Sequence, residues 1–285
     1  MFFIGAHITR EKTLLETIQK IIDADGNSLQ IFASNPRSVR IGNFNHKFFG
    51  NPEEIQKFIH KTNFKLIIHS PYVINLASPL TFNKRIMNLD DCYWIKLILY
   101  ELEIAHNIGA IGCVVHTGKY TKQTIKDGLT NMKIAIDFIL NEIKINRWNS
   151  KLILETSSGQ GTELLDNYQD FLNFYNDFDE EQKKFLKICI DTCHIWASGY
   201  ELMEVLDLTI KNGNIKDVAV VHLNNSKNPK GSNLDRHEII NSGHIKISDI
   251  YDFLRIKKLN KEIITILEMP SSNYNYEFNQ LIRNT

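Results

Sequence analysis

The chain lacks most of the features that would place it in a class at a glance. It has four cysteines in 285 residues, Cys92, Cys113, Cys189 and Cys193, and no two form a CxxC pair. That argues against both a disulfide framework and a thiolate zinc site, so buried thiols in a reducing compartment are expected. No apolar run approaches the roughly 18 residues that cross a bilayer. The start, Met1-Phe2-Phe3-Ile4-Gly5-Ala6-His7, is apolar for too short a run to be a signal peptide. A soluble, intracellular protein with no membrane partner is expected, a monomer by default. There are six prolines and no linker rich in Pro, Gly or Ser, which implies a single domain over residues 1–285. An excess of one charge is also missing: Lys+Arg and Asp+Glu are 33 each. A nucleic-acid-binding protein usually shows a basic footprint, so the even balance counts against a nucleic-acid substrate.

What is present is a repeating pattern. Short apolar, β-rich runs occupy Phe2–Gly5, Leu29–Phe32, Leu66–Ile68, Cys113–Val115, Leu152–Leu154, Ile188–Ile190, Val218–Val221 and Ile263–Leu267. Amphipathic stretches lie between them, among them Glu11–Ile22, Asp90–Asn107, Thr124–Ile143 and Ile247–Ile256. Near-continuous apolar strands alternating with helices imply a parallel sheet covered by helices. Eight repeats predict closure into a (β/α)8 TIM barrel, with a doubly wound open sheet as the alternative. Asn51-Pro52-Glu53-Glu54 has the form of a helix start, and Asn224–Arg236 reads as a long loop after the seventh strand.

The residue after each apolar run is the informative one. His69, His116, Glu155, Asp191, His222 and Glu268 each follow a strand directly, His194 comes three residues after Asp191, and the first strand ends near His7. In a closed barrel these C-terminal strand ends converge on one face. Singly, such a His is an ordinary hydrogen-bonded residue, and Asp191 could simply cap the helix that begins near His194. Together, crowded imidazoles and carboxylates repel or desolvate one another unless cations lie between them. Donors of nitrogen and oxygen without sulfur suit zinc, and also manganese or iron. Asp235 and His237, at i and i+2 in an extended loop, can point the same way and with His194 make a separate site. His46, His60, His106 and His244 do not follow strands and carry no such expectation.

In their order along the chain these residues resemble the endonuclease IV family over nearly the whole length. The resemblance rests on Gly5-Ala6-His7, Gln30-Ile31-Phe32 through Asn35-Pro36-Arg37, His69-Ser70-Pro71-Tyr72-Val73-Ile74-Asn75-Leu76, His116-Thr117-Gly118, Glu155 with Gly159-Gln160-Gly161, Asp191-Thr192-Cys193-His194, Ala197-Ser198-Gly199-Tyr200, His222-Leu223-Asn224 with Lys227, Asp235-Arg236-His237 and Leu267-Glu268. It implies three zinc ions per chain, with manganese acceptable at some positions. Glu155 would bridge two of them, with His69 and His116 on one side and Asp191, His222 and Glu268 on the other. His194, Asp235 and His237 would hold the third. Glu155 and Glu268 would be catalytic, Glu268 by orienting or deprotonating the attacking water.

The implied substrate is double-stranded DNA with abasic sites, cut on the 5′ side to leave a 3′-hydroxyl and a 5′-deoxyribose phosphate. The implied DNA contacts are Arg37, Tyr72, Asn75, Lys227 and Arg236, with Arg37 and Tyr72 filling the gap left by the missing base. Three zinc ions would more than offset four ligand carboxylates, which supplies the attraction that the neutral composition lacks. The chain departs from the family pattern at Asn225, where Asp is frequent, at Thr156, Thr117 and in Ser242-Gly243-His244-Ile245. None of these removes a ligand. Two other readings of the same residues are a divalent-metal sugar isomerase or epimerase on the same barrel, and a lesion-binding protein without catalysis.

Overall fold

A computed structural model describes residues 2–82, 85–269 and 273–284; Met1 and Thr285, the ends of the expected 1–285 unit, lie outside the described residues. Eight strands form the centre: β1 (Phe3–His7), β2 (Ser28–Phe32), β3 (Lys65–His69), β4 (Gly112–His116), β5 (Lys151–Glu155), β6 (Leu186–Asp191), β7 (Val218–His222) and β8 (Ile264–Leu267). They close into a barrel in sequence order, and every pairing is parallel. Closure runs through β1 and β8, with Phe3 opposite Ile264 and Ala6 opposite Leu267, which rules out the open sheet. All eight expected strands are present. Seven of the eight end on or beside the polar residue that followed the apolar run, because that residue's backbone still pairs.

The helices follow local capping chemistry. The first expected helix begins at Leu14 rather than Glu11, because Thr13 and Glu16 form a reciprocal capping box. Asn51 caps the helix Pro52–Thr62, with Pro in the first turn. The segment expected as one helix over Ile247–Ile256 is broken into Ile247–Phe253 and Ile256–Leu259. At the break the backbone tightens to bonds three residues apart, Arg255 N–H to Asp252 O and Lys257 N–H to Leu254 O, and Phe253, Leu254 and Ile256 on either side of it are all fully buried. Two short hairpins were not anticipated. One joins Thr81–Phe82 to Arg85–Ile86. The other pairs Asn225–Ser226 with His237–Glu238, so the expected loop 224–236 contains a short strand, and 227–236 is the connection of a hairpin.

Period-two alternation sorts the barrel interior into three layers. The middle layer is an apolar plug that includes Ile67, Val114, Ile153, Cys189, Val220 and Ile266. Two residues further along the strands lie His69, His116, Glu155, Asp191, His222 and Glu268. Two residues back from Ile67, Ile153 and Cys189 lie Lys65, Lys151 and Lys187. The outward positions, such as Leu66, Ile68, Val115, Leu154 and Ile190, join the helices in the larger core.

Candidate metal centre

Glu155 is at the centre of the upper layer and is 1% exposed. Its Oε2 lies 3.6 Å from His69 Nε2 and 3.5 Å from His116 Nδ1. Its Oε1 lies 2.9 Å from His222 Nδ1. On the far side His222 Nδ1 is 3.3 Å from Glu268 Oε2 and 3.7 Å from Asp191 Oδ2. Asp235 reaches His194 Nε2 at 3.3 Å and His237 Nε2 at 3.1 Å. Three groups of donors result: His69, His116 and Glu155; Glu155, Asp191, His222 and Glu268; and His194, Asp235 and His237. Within each, donor atoms lie within 4.8 Å of one another. All nine residues expected as ligands are thus brought into one mouth. His69, Glu155, Asp191, His194 and His222 are buried, and His116, Asp235, His237 and Glu268 are half-buried at the rim.

The surrounding hydrogen bonds turn the imidazoles inward. His69 Nδ1 faces the Ser70 carbonyl at 2.8 Å, and His194 Nδ1 faces the Thr156 carbonyl at 2.8 Å. A carbonyl only accepts, so each Nδ1 carries the proton and Nε2 is free to bind a cation. His222 is turned the other way: its Nε2 donates to Gln30 Oε1 at 2.9 Å, which leaves Nδ1 facing the carboxylates. Gln30 Nε2 donates to Glu268 Oε1 at 2.8 Å and lies 3.1 Å from His7 Nδ1. The reverse amide orientation would set oxygen against carboxylate. Asn224 donates to Asp191 at 2.7 Å and to Glu268 at 3.2 Å. Asp191 caps the helix Thr192–Ala197 with Oδ1 through His194 N, as one reading of it expects, and its Oδ2 faces His222 and His237, where the other reading would need it.

The charge balance is unusual for buried groups. Burial pushes the Glu155 and Glu268 carboxyls up, but the imidazoles around them, His116 and His222 foremost for Glu155, hold both below the usual carboxylate range. Asp191 is raised by burial. His237 is lowered by burial but raised more by Asp191, Asp235 and Glu268, to about 9. Glu155 Oε2, His194 Nε2 and His237 Nε2 are buried without a hydrogen bond. Buried polar atoms are rarely left so, and all three belong to the donor groups. The residues therefore fit a set of bound cations. Cys189 lies with Glu155 and His222, and Cys193 with Asp191 and His237, within the same donor distances; burial pushes both thiols up to about 12.

The mouth is a cavity of about 280 Å³ whose rim includes Tyr72, Phe32 and His7. Tyr72 is 60% exposed, its ring 5.2 Å from Phe32, and its backbone N–H donates to Pro36 O. That bond ties the Tyr72 loop to the loop carrying exposed Arg37. Lys227 and Arg236 are exposed on the far rim, joined by the backbone bond Lys227 N to Arg236 O. Asn75 is differently employed. Its Oδ1 accepts from Lys119 N and Ala77 N, and its Nδ2 donates to Lys119 O. Its amide joins two loops. Sequence reasoning did not assign roles to Gln30 and Asn224; the signal for Gln30 was a lone amide in the otherwise apolar run Leu29–Phe32.

The departures from the family pattern also find physical roles. Asn225 is buried, donates to Ile240 O and Ile245 O, and accepts from Ser226 N and Ile245 N. It holds the altered stretch around Gly243, where a Cβ would fall 2.0 Å from Asn225 Oδ1. Thr156 Oγ1 accepts from Asp191 N.

The comparisons agree with this geometry. A family model described as a xylose isomerase-like TIM barrel matches residues 18–283. A probable endonuclease 4 from Mesomycoplasma hyopneumoniae is 31% identical over 276 residues, which is 95% of this chain and 93% of the relative. The crystal structure of endonuclease IV from Thermus thermophilus superposes with a TM-score of 0.77 at 21% identity, covering 99% and 98% of the two chains. A D-tagatose 3-epimerase-like protein shares the fold, with a TM-score of 0.72 at 18% identity and coverage of 99% and 97%. With the family model and the endonuclease 4 relative each spanning more than nine-tenths of it, the chain belongs to the endonuclease IV family.

Proposed function

We propose that this chain, acting as a single domain, hydrolyses the phosphodiester on the 5′ side of abasic sites in double-stranded DNA, and trims blocked 3′ ends with the same centre. At the level of its family it is a nuclease of the AP-endonuclease type. The observation that carries the finer reading is the separate trio His194, Asp235 and His237 beside the two groups that share Glu155. A sugar epimerase on the same barrel has no use for that trio.

The nine donors would hold three zinc ions, with manganese suited to the same nitrogen and oxygen ligands. When bound, these ions would polarise the phosphate and make a water acidic enough to attack near neutral pH. The chain's own part is positioning. Gln30 and Asn224 fix both Glu268 oxygens, so that this carboxylate is poised to take a proton from the attacking water. Glu155 presents one oxygen to His69 and His116 and the other to His222, the arrangement of a bridging carboxylate. Tyr72 and Arg37 stand on linked loops at the rim, where they would fill the space of the missing base. Arg236 and Lys227 would meet the phosphate backbone, and Asn75 would hold the Tyr72 loop against the loop at Lys119.

The deciding measurement is incision of a duplex carrying one tetrahydrofuran residue by metal-replete protein. Cleavage 5′ to the lesion with a 3′-hydroxyl product, lost with chelator and recovered with zinc, is expected. His237→Ala should lower the rate by about 100-fold or more. An uncut duplex with fully loaded protein, or full activity in His237→Ala, overturns the reading.

A further inference from the structure

We propose that the floor of the barrel, opposite the metal centre, is a second binding site, for a small organic anion with an apolar body. The floor opens into a cavity of about 730 Å³, within the range of small-molecule sites and larger than the metal mouth. Ile111, Ile210, Val218, Leu259 and Ile264 supply apolar wall. Lys65, Lys151, Lys187 and Lys216 line it as well, and Glu262 is the one carboxylate among the lining residues.

Three of these lysines come from the lowest inward layer of β3, β5 and β6. Each lies four residues before a metal-centre residue on its own strand, about 13 Å away along the strand. Lys187 reaches Asp217 at 3.4 Å, and Lys216 reaches exposed Glu180 at 2.8 Å. Among the described residues no carboxylate lies within salt-bridge distance of Lys65 or Lys151. Lys65 instead donates to Asn63 Oδ1 and lies over the Phe3 ring at 4.6 Å. Lys151 lies 5.2 Å from the centre of the Phe185 ring. Burial, and then the charge of Lys187, lower the Lys151 ammonium from its usual range. Like charges crowded beside apolar surface are costly unless an anion joins them.

The two features select the ligand class. An inorganic anion would leave the apolar walls wet. A neutral apolar molecule would leave Lys65 and Lys151 without a charged partner. A molecule carrying phosphate, sulfonate or carboxylate on an aromatic or aliphatic body satisfies both. The apolar plug of Ile67, Val114, Ile153 and Cys189 separates this floor from the metal centre, so occupancy should not block incision.

The test is fluorescence titration of the metal-replete full chain with 8-anilinonaphthalene-1-sulfonate, alongside uncharged N-phenyl-1-naphthylamine. Saturable binding of the sulfonate is expected, weaker binding of the uncharged probe, and a loss of about tenfold or more in affinity for the Lys151→Met/Lys187→Met double variant. Incision of the tetrahydrofuran duplex should be unchanged in that variant and unaffected by saturating probe. If the double variant does not fold, Lys65→Met decides by the same readout. Equal affinity in the folded variants, no saturation, or probe that competes with the duplex overturns the proposal. The binding readout does not depend on incision, so failure of one reading is distinguishable from failure of the other.

Discussion

Gln30 accepts from His222 and donates to Glu268, so one side chain sets the orientation of two donors. Gln30→Leu keeps the bulk and removes both bonds. Metal affinity, measured by competition with a chromogenic chelator, should fall by about 10- to 100-fold, while the far-ultraviolet circular dichroism stays native. Unchanged affinity would mean that packing alone orients His222. Glu101 is the contrasting case, a buried acid that belongs to none of the donor groups. Its carboxyl accepts from the Ser34 hydroxyl, and burial raises it to about 7 against the favourable effects of Ser34 and Arg10. Between the ordinary carboxylate pKa and about 7 the folded state binds more protons than the unfolded, so Glu101 destabilises the fold increasingly as pH rises through that window. Thermal melts of Glu101→Gln should therefore show a gain at about pH 8 relative to the parent, shrinking toward about pH 5. A gain independent of pH would remove titration as the cause.

At the scale of elements, the hairpin after β7 and the stretch 240–245 depend on Asn225. An amide can donate to two carbonyls and accept from two backbone N–H groups at once; a carboxylate can only accept. Asn225→Asp, although it restores a residue common in the family, should cost about 2–3 kcal/mol by leaving Ile240 O and Ile245 O facing an anion. The melting temperature should drop by roughly 5 °C or more, and a neutral result would show that the stretch can rearrange. Strand contacts are less forgiving. At Gly5 a Cβ would lie 1.5 Å from the Ser28 carbonyl oxygen, inside the β1–β2 pairing. A side chain of any size there would force those strands apart.

At the scale of the whole molecule, the proposed metal centre gathers buried carboxylates from different strands, and bound cations would join the imidazoles around them in balancing that charge. Removing metal with chelator should lower the melting temperature, and adding zinc back should restore it by mass action. The chain is formally neutral, so its attraction for phosphate should come largely from those cations. The slope of log affinity against log salt for an abasic duplex should then be steeper for loaded protein than for apoprotein. Equal slopes would assign the attraction to rim side chains such as Arg37, Lys227 and Arg236.

The sequence by itself determined the repeat of eight strands, because burial on both faces demands near-continuous apolar runs that end abruptly at His69, His116, Glu155, Asp191, His222 and Glu268. It also carried the candidate donors, since donor chemistry is a property of single residues. It did not carry the break at Leu254, the hairpin joining Asn225 to Glu238 or the bracing by Gln30 and Asn224. Those follow from which groups meet across strands far apart in the chain. The lysine-lined floor is of the same kind: Lys65, Lys151 and Lys187 are unremarked charges until closure of the barrel turns them toward one another, because side-chain direction in a strand is fixed by register and register is fixed by the neighbours.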